Sequence, residues 1–344
     1  MFVKRLDKIK SSDSRLELIA RQKKKDLPLF IVMVGLPGSG KSRRANTLAE
    51  IKGINAVVLS SDAYRESMLG SETDNTDNEK IFKALYRDAR DYIASGRSVI
   101  IDATNVTMKN RRKALNAING LNALKIAFVM NIPFDVCQFR NLGRERTLPS
   151  EVLEKFLNMF EVPMKFEGFD EILFHYPLSW GIDFDKLCEM QMLGVDQNTH
   201  WHKHNLLPHC IIAYDKLYSI MKEKGLDLDL PLLTSARIHD FGKLFSFQKK
   251  DNGEFSYHHH ANVGAYMLLT LMDNECSQNS ELTEEEVLEM IFYVNQHMHI
   301  HILLKEETKP DTLEKYKRLF GERLFNNLKL LEYANTFASG RKDG

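Results

Sequence analysis

Gly35-Leu36-Pro37-Gly38-Ser39-Gly40-Lys41-Ser42 satisfies the pattern G-x-x-x-x-G-K-[ST], and it lies between an apolar run over 29–34 and a helical spacing that begins at Lys41. Glycines in such a loop let backbone N–H groups converge on phosphate oxygens, and the following helix adds the positive end of its dipole. Gly35, Gly38, Ser39 and Gly40 form this cradle. Lys41 is then expected to reach the β- and γ-phosphates of ATP or another nucleoside triphosphate, and Ser42 to offer its hydroxyl to Mg²⁺. A glycine turn that meets the pattern by chance is the competing reading, and the strand and helix on either side count against it.

Outward from the loop, strands over 56–59, 98–101 and 125–131 alternate with helical stretches over 79–94 and 111–117. That alternation predicts a parallel α/β sheet. Beyond Tyr176 the strand signal fades, while Leu207, Ile211, Tyr214, Tyr218 and Met221 fall at helical spacing, as does the stretch 284–297. The second half is therefore expected to be all α. None of the twelve histidines precedes His175, so the halves carry different chemistry. The chain divides into an α/β domain over 1–177, a connection over 178–198 with Pro177 and Gly181 at its start and Gly194 near its end, and a helical domain over 199–344.

A chain of 344 residues is long enough for two domains. Apolar residues at 43% and charged residues at 27% are ordinary globular usage and leave little room for a long disordered tract. With 47 basic and 47 acidic residues, any contact with nucleic acid must come from local basic patches. Cys137, Cys188, Cys210 and Cys276 are scattered, which reads as reduced thiols in a cytoplasmic setting. No signal-peptide core and no long apolar run occurs, so neither export nor a membrane span is expected.

Three groups bear on the loop's chemistry, two of them at predicted strand ends and one in a short stretch ending at Pro149. Asp62 and Arg65, in Leu59-Ser60-Ser61-Asp62-Ala63-Tyr64-Arg65, follow the second strand and share a face of a helical turn. A carboxylate there can accept the proton of an attacking hydroxyl, and the arginine can steady a phosphate on the acceptor. A capping aspartate beside an exposed arginine is the structural alternative. Asp102 ends the strand 98–101, where it can hold water on Mg²⁺ or serve as an ordinary strand-end residue. Arg140, Arg144 and Arg146 suit a lid that closes cations over a transferring phosphoryl group, or a solvated basic helix face.

The P-loop, Asp62-x-x-Arg65, Asp102-Ala103-Thr104-Asn105 and Arg140-x-x-x-Arg144-x-Arg146 together resemble the 5′-end polynucleotide kinases over roughly 27–176. Phe160-Glu161-Val162-Pro163 and Glu167-Gly168-Phe169-Asp170 form a closing segment common among small P-loop kinases. The resemblance implies that Asp62 is the general base, that Arg65 binds the acceptor phosphate, and that Arg144, with Arg140 beside it, contacts the donor phosphates.

In the second half the candidate ligands are His209, the doublet His239-Asp240, His260 and His297. Imidazole and carboxylate together suit Mn²⁺, Fe, Ni²⁺ or Zn²⁺. Any one of these histidines alone is an ordinary core or surface residue; the combination carries the signal. Their order resembles the HD phosphohydrolase superfamily over about 197–337, in Leu207-Pro208-His209, Arg237-Ile238-His239-Asp240-Phe241-Gly242-Lys243, His260 and His297. That resemblance implies a helical metal-dependent phosphohydrolase with His202 and Lys243 facing the scissile phosphate. It leaves His200, His204, His299 and His301 as surface residues. The family closes its site with an aspartate on the last helix, where this sequence reads Tyr333-Ala334-Asn335-Thr336. A neutral amide oxygen is a poorer ligand, so either Asn335 lowers metal affinity or Asp311 substitutes.

Joined in one chain, the two resemblances imply ATP-dependent phosphorylation of 5′-OH ends of RNA or DNA together with removal of a 3′-phosphate or 2′,3′-cyclic phosphate, ahead of a ligase. The alternatives are a nucleoside or small-metabolite kinase fused to a nucleotide phosphohydrolase, and a kinase carrying a degenerate RNA-binding HD module.

Overall fold

The structure, a computed structural model, describes residues 27–51, 53–71, 76–144, 147–176, 178, 180–199, 203–270 and 280–340. Two compact units emerge: residues 1–156 with 163–177, and residues 157–162 with 178–344.

The first unit is built on β1 (Leu29–Val34), β2 (Ala56–Ser60), β3 (Ser98–Asp102), β4 (Leu124–Val129) and β5 (Glu171–Phe174). All pairings are parallel, in the order β2-β3-β1-β4-β5. β1 is buried along its whole length, as a central parallel strand covered on both faces must be. β3 lies on one side of β1 and β4 on the other, so the loop after β1 stands at the switch point where such sheets hold ligands. The intervening helices are α1 (Lys41–Ala49), α2 (Ser61–Leu69), α3 (Asn78–Ala94), α4 (Met108–Ala117), α5 (Phe134–Leu142) and α6 (Ser150–Asn158). Local chemistry sets their starts: Asp77 and Thr107 cap α3 and α4 by accepting the N–H groups of Lys80 and Asn110. β5 is an addition to the sequence reading, whose closing motif stops at Asp170, just before this strand.

The second unit is mainly helical, with α7 (Ile182–Met192), α8 (Leu206–Glu223), α9 (Leu230–Ile238), α10 (Lys243–Ser246), α11 (His260–Thr270), α12 (Glu284–Leu303), α13 (Pro310–Phe320) and α14 (Glu322–Ala338). Two small antiparallel pairs depart from the all-α expectation: β6 (Trp180–Gly181) with β9 (Ser280–Leu282), and β7 (Gln248–Lys249) with β8 (Phe255–Ser256). The stretch read as a connection is also structured. Phe184, Cys188 and Met192 recur every four residues along α7 and are buried, so that helix packs by one face. α12 is buried on nearly all sides from Val287 to Val294, and it lies against α9, α11 and α14. Thr283 and Glu286 begin it with a reciprocal capping box. Among the described residues no helix is long and apolar enough to cross a membrane.

Candidate functional site

At the P-loop, Gly40 adopts a left-handed conformation and leads directly into α1. Gly38 is also left-handed, and a Cβ there would stand 2.3 Å from the carbonyl oxygen of Cys137, so only glycine lets α5 approach the loop. Lys41 is buried and donates to the carbonyl of Leu36 at 2.8 Å. Burial holds its ammonium below the ordinary lysine range, against the opposing pull of Asp102, Cys137 and Asp62. Ser42 and Ser60 donate to the Asp102 carboxylate, whose own titration burial pushes upward. Lys41, Ser42 and Asp102 therefore share one pocket of charge and hydrogen bonding, as a phosphate with its cation requires.

Asp62 sits in the first turn of α2, where its Oδ1 accepts from Arg65 Nη1 at 2.6 Å. Arg65 also donates to Asn78 Oδ1 at 3.0 Å and lies 6.0 Å from the centre of the Phe82 ring. The Asp62 side chain is half exposed, so an incoming hydroxyl can reach it. On α5, Arg140 donates to the Ser39 carbonyl at 3.5 Å. Arg144 is exposed, yet its charge is felt at Lys41. Asn141 clasps the loop beyond through Leu148, donating to its carbonyl at 2.8 Å and accepting its N–H at 3.0 Å. Arg146 lies outside the described residues.

A pair the sequence reading missed supports the turn after β3. Arg111 is fully buried, donates to both Glu167 oxygens at 2.8 and 2.7 Å, and holds the carbonyls of Asn105 and Val106 at 3.2 and 3.1 Å. Asn105, at a positive φ of 45°, donates to Met33 at 2.9 Å, while Gly35 N–H donates to Thr104 at 3.0 Å. The turn is thus tied to the strand that carries the P-loop. An arginine at the start of a helix reads as solvated from sequence, which is why it escaped notice.

In the second unit, His209 on α8, His239 and Asp240 after α9, His260 at the start of α11 and His297 on α12 come together, all buried. Asp240 stands between two groups. Its Oδ2 lies 3.4 Å from His209 Nε2 and 3.5 Å from His239 Nε2, which are 3.3 Å from each other. Its Oδ1 lies 3.2 Å from His260 Nε2 and 3.6 Å from His297 Nε2, which are 3.0 Å apart. Three of the rings are fixed from behind: Nδ1 of His239, His260 and His297 donates to the carbonyls of Ala236, Tyr257 and Val294 at 2.9, 2.7 and 2.7 Å. That tautomer leaves each Nε2 lone pair facing the cluster. Asn335 Oδ1 joins at 2.9 Å from His209 and 3.2 Å from His239.

These donors fit a metal. Four ligands at 2.0–2.1 Å on a tetrahedron are separated by about 3.3 Å, and octahedral neighbours by about 2.9 Å; the donor separations here run from 2.9 to 3.6 Å, close to those values. Two three-residue groups sharing Asp240 have the composition and spacing to hold an ion each. Lys243 donates to Asp240 Oδ2 at 2.6 Å and to Gln197 Oε1 at 2.7 Å, so its ammonium is engaged inside the cluster. Asp311 is exposed in the first turn of α13 and does not join the cluster, which removes it as a substitute ligand. His200 and His202 lie outside the described residues, and His204 is exposed. His301 departs from the surface expectation, since it is half-buried and its Nδ1 is within hydrogen-bond distance of Glu332 Oε1 at 2.7 Å. His299 corrects the surface expectation, since it is half-buried and hydrogen-bonded to Gln296 at 2.9 Å.

Residues 30–163 match the family of AAA domains. The first unit has a P-loop α/β fold with a five-stranded parallel sheet. The L-seryl-tRNA(Sec) kinase of Methanococcus maripaludis is 25% identical over 232 residues, 65% of this chain and 83% of that protein. Protein kti12 of Schizosaccharomyces pombe is 26% identical over 159 residues, 43% of this chain and 56% of that one. Among solved structures, a chain of the Pnkp1/Rnl/Hen1 RNA repair complex is 22% identical with a TM-score of 0.35, the match covering 40% of this chain and 45% of that chain, less than half of its length. A gluconokinase from Sinorhizobium meliloti is 22% identical with a TM-score of 0.32 over 43% of this chain and 82% of its own.

Proposed function

We propose that this chain heals nucleic-acid ends: the first unit phosphorylates a 5′-hydroxyl of RNA or DNA with ATP, and the second removes a 3′-phosphate or 2′,3′-cyclic phosphate, leaving ends a ligase can join. The observation that carries the reading is Asp240, one carboxylate shared by two pairs of imidazoles, in the same chain as a P-loop after β1 and Asp62 in the first helical turn after β2. The similarity to a relative named L-seryl-tRNA(Sec) kinase supports phosphoryl transfer and favours an RNA-borne acceptor.

In the kinase unit, Asp62 takes the proton of the attacking hydroxyl and Arg65 orients the acceptor. Lys41 leaves the Leu36 carbonyl for the donor phosphates and, with Arg144 and Arg140, balances charge that grows on the transferring group. Ser42 and Asp102, already hydrogen-bonded to each other, would hold Mg²⁺.

In the second unit, His209, His239, Asp240 and Asn335 would hold one divalent ion, and Asp240, His260 and His297 another. Bound there, Mn²⁺, Fe, Ni²⁺ or Zn²⁺ supplies Lewis-acid activation for hydrolysis of a phosphate ester. The chain's own contribution is to pin the three rings through their Nδ1 groups and to offset the charge of Asp240 with Lys243.

Labelled ATP offered to 5′-OH RNA, 5′-OH DNA and free nucleosides tests the acceptor. Label on oligonucleotides supports end healing; label on nucleosides alone would replace it with a metabolic kinase.

A further inference from the structure

Beside the metal ligands the second unit contains a cavity of about 460 Å³, within the size range of small-molecule sites. His260 lines it, so it adjoins the Oδ1 side of Asp240. Its walls include the rings of Tyr257, His299 and Tyr316 and the amides of Asn262 and Gln296. Tyr316 stands edge-on to His299, with centroids 4.6 Å apart, and is braced by Phe320 at 5.6 Å.

One carboxylate, Glu161, also lines the cavity. Its backbone is held on both sides: the Phe160 carbonyl accepts from Asn262 at 2.8 Å and from Asn295 at 3.0 Å, and Val162 N–H donates to Asn295 at 3.1 Å. Among the described lining residues there is no lysine or arginine.

Charge separates the possible occupants. A polyphosphate tail entering here meets a carboxylate and His258, His259, His260 and His299 but no lysine or arginine, whereas a neutral planar heterocycle finds rings to stack on and an acceptor for its N–H edge. Resting on the end-healing reading, we infer that the cavity seats the nucleobase of the terminal nucleotide whose phosphate lies at the metal ligands, stacked on Tyr316 with its N–H edge toward Glu161.

The test uses the full chain, with a non-hydrolysable ATP analogue filling the P-loop. The probes are a 5′-labelled trinucleotide with a 3′-phosphorylated guanosine and the same oligomer with an abasic 3′-phosphorylated ribose. Fluorescence anisotropy should show the base-bearing probe binding about tenfold more tightly, the scale of one stacked base. Tyr316→Phe should keep that difference and Tyr316→Ala should erase it. Equal binding of the two probes by the wild type, or a difference that survives Tyr316→Ala, overturns the base seat. Phosphate release with Mn²⁺, followed in parallel, separates the two readings. Release from both probes at one KM sinks the base seat and leaves end healing standing. Discrimination in binding without release keeps the seat and removes the hydrolase.

Discussion

Gly242 and His260 approach so closely that a Cβ on Gly242 would stand 2.0 Å from the His260 carbonyl oxygen and 2.5 Å from the backbone nitrogen of Gly264. The crossing of these backbones brings the His239-Asp240 doublet against the start of α11. His259, at a left-handed φ of 61°, turns the chain into that helix.

Gly242→Ala should therefore displace His260 as well as strain the core. Since the clash is with backbone and not with a flexible side chain, the loss of stability should reach the overpacking range of about 1–3 kcal/mol or more. Guanidinium unfolding together with Mn²⁺ titration checks this. Unaltered stability and affinity would show that the crossing has slack.

The kinase unit makes a separable prediction. Lys41→Ala should abolish transfer to a 5′-OH end while metal binding by the second unit persists. Asp62→Asn should lower turnover by about 10²- to 10⁴-fold with ATP affinity nearly unchanged, because a general base acts in the transition state. Steady-state kinetics with varied ATP would expose the opposite pattern, a raised KM at constant turnover.

Arg111 and Glu167 are both fully buried, so removing one leaves the other's charge without its partner. Arg111→Ala should cost about 3–5 kcal/mol, and replacing both residues by apolar ones of similar volume should cost less. A double-mutant cycle in denaturant measures the difference. If the double variant is as unstable as the single one, the orphaned charge is not the cause.

Burial holds His239 and His297 below the ordinary imidazole range. In the unfolded chain each titrates near 6.5, so acid adds protons to the unfolded state first. Their contribution to the metal-free protein is therefore present above about pH 6.5 and lost as the pH falls through the lower folded values. Protons also compete with metal for the same Nε2 atoms. Denaturation midpoints in chelator should fall between pH 7.5 and 5.5, and Mn²⁺ affinity should fall with them. A midpoint that rises on acidification would reverse the sign.

The fold was largely legible because its signals are local. Leu29–Val34 is an unbroken apolar run that ends in a glycine loop, and that pattern belongs to a central parallel strand. β5 escaped because four residues carry too little periodicity to separate from a loop. α7 escaped because Pro177 and Gly181 announce a connection just ahead of it. At the second site, residue types and order nominated residues that the fold brings together. The convergence of His209 with Asn335, 126 positions apart, comes only from packing of α8 along α14. The resemblance turns Lys243 toward the scissile phosphate; the fold shows, beyond what the resemblance says, that it also donates to Asp240 and Gln197. The cavity at Tyr316 could not be read at all, since residues from four separate segments build it.

Asn335 is the point at which ligand chemistry is open to adjustment. Its neutral oxygen already faces His209 and His239, so Asn335→Asp should raise metal affinity by adding charge beside those imidazoles. Isothermal titration with Mn²⁺ reads this directly, and weaker binding by the aspartate variant would place Asn335 outside the coordination sphere.

The most direct measurement follows both ends of one molecule. An RNA oligonucleotide with a 5′-OH and a 3′-phosphate is incubated with the full chain, ATP, Mg²⁺ and Mn²⁺, and its intact mass and end groups are determined. The account predicts that a phosphoryl group is gained at the 5′ end and lost at the 3′ end, that Lys41→Ala removes only the gain, and that Asp240→Ala removes only the loss. An oligonucleotide unchanged at both ends, while free nucleosides or small metabolites are phosphorylated, would contradict it.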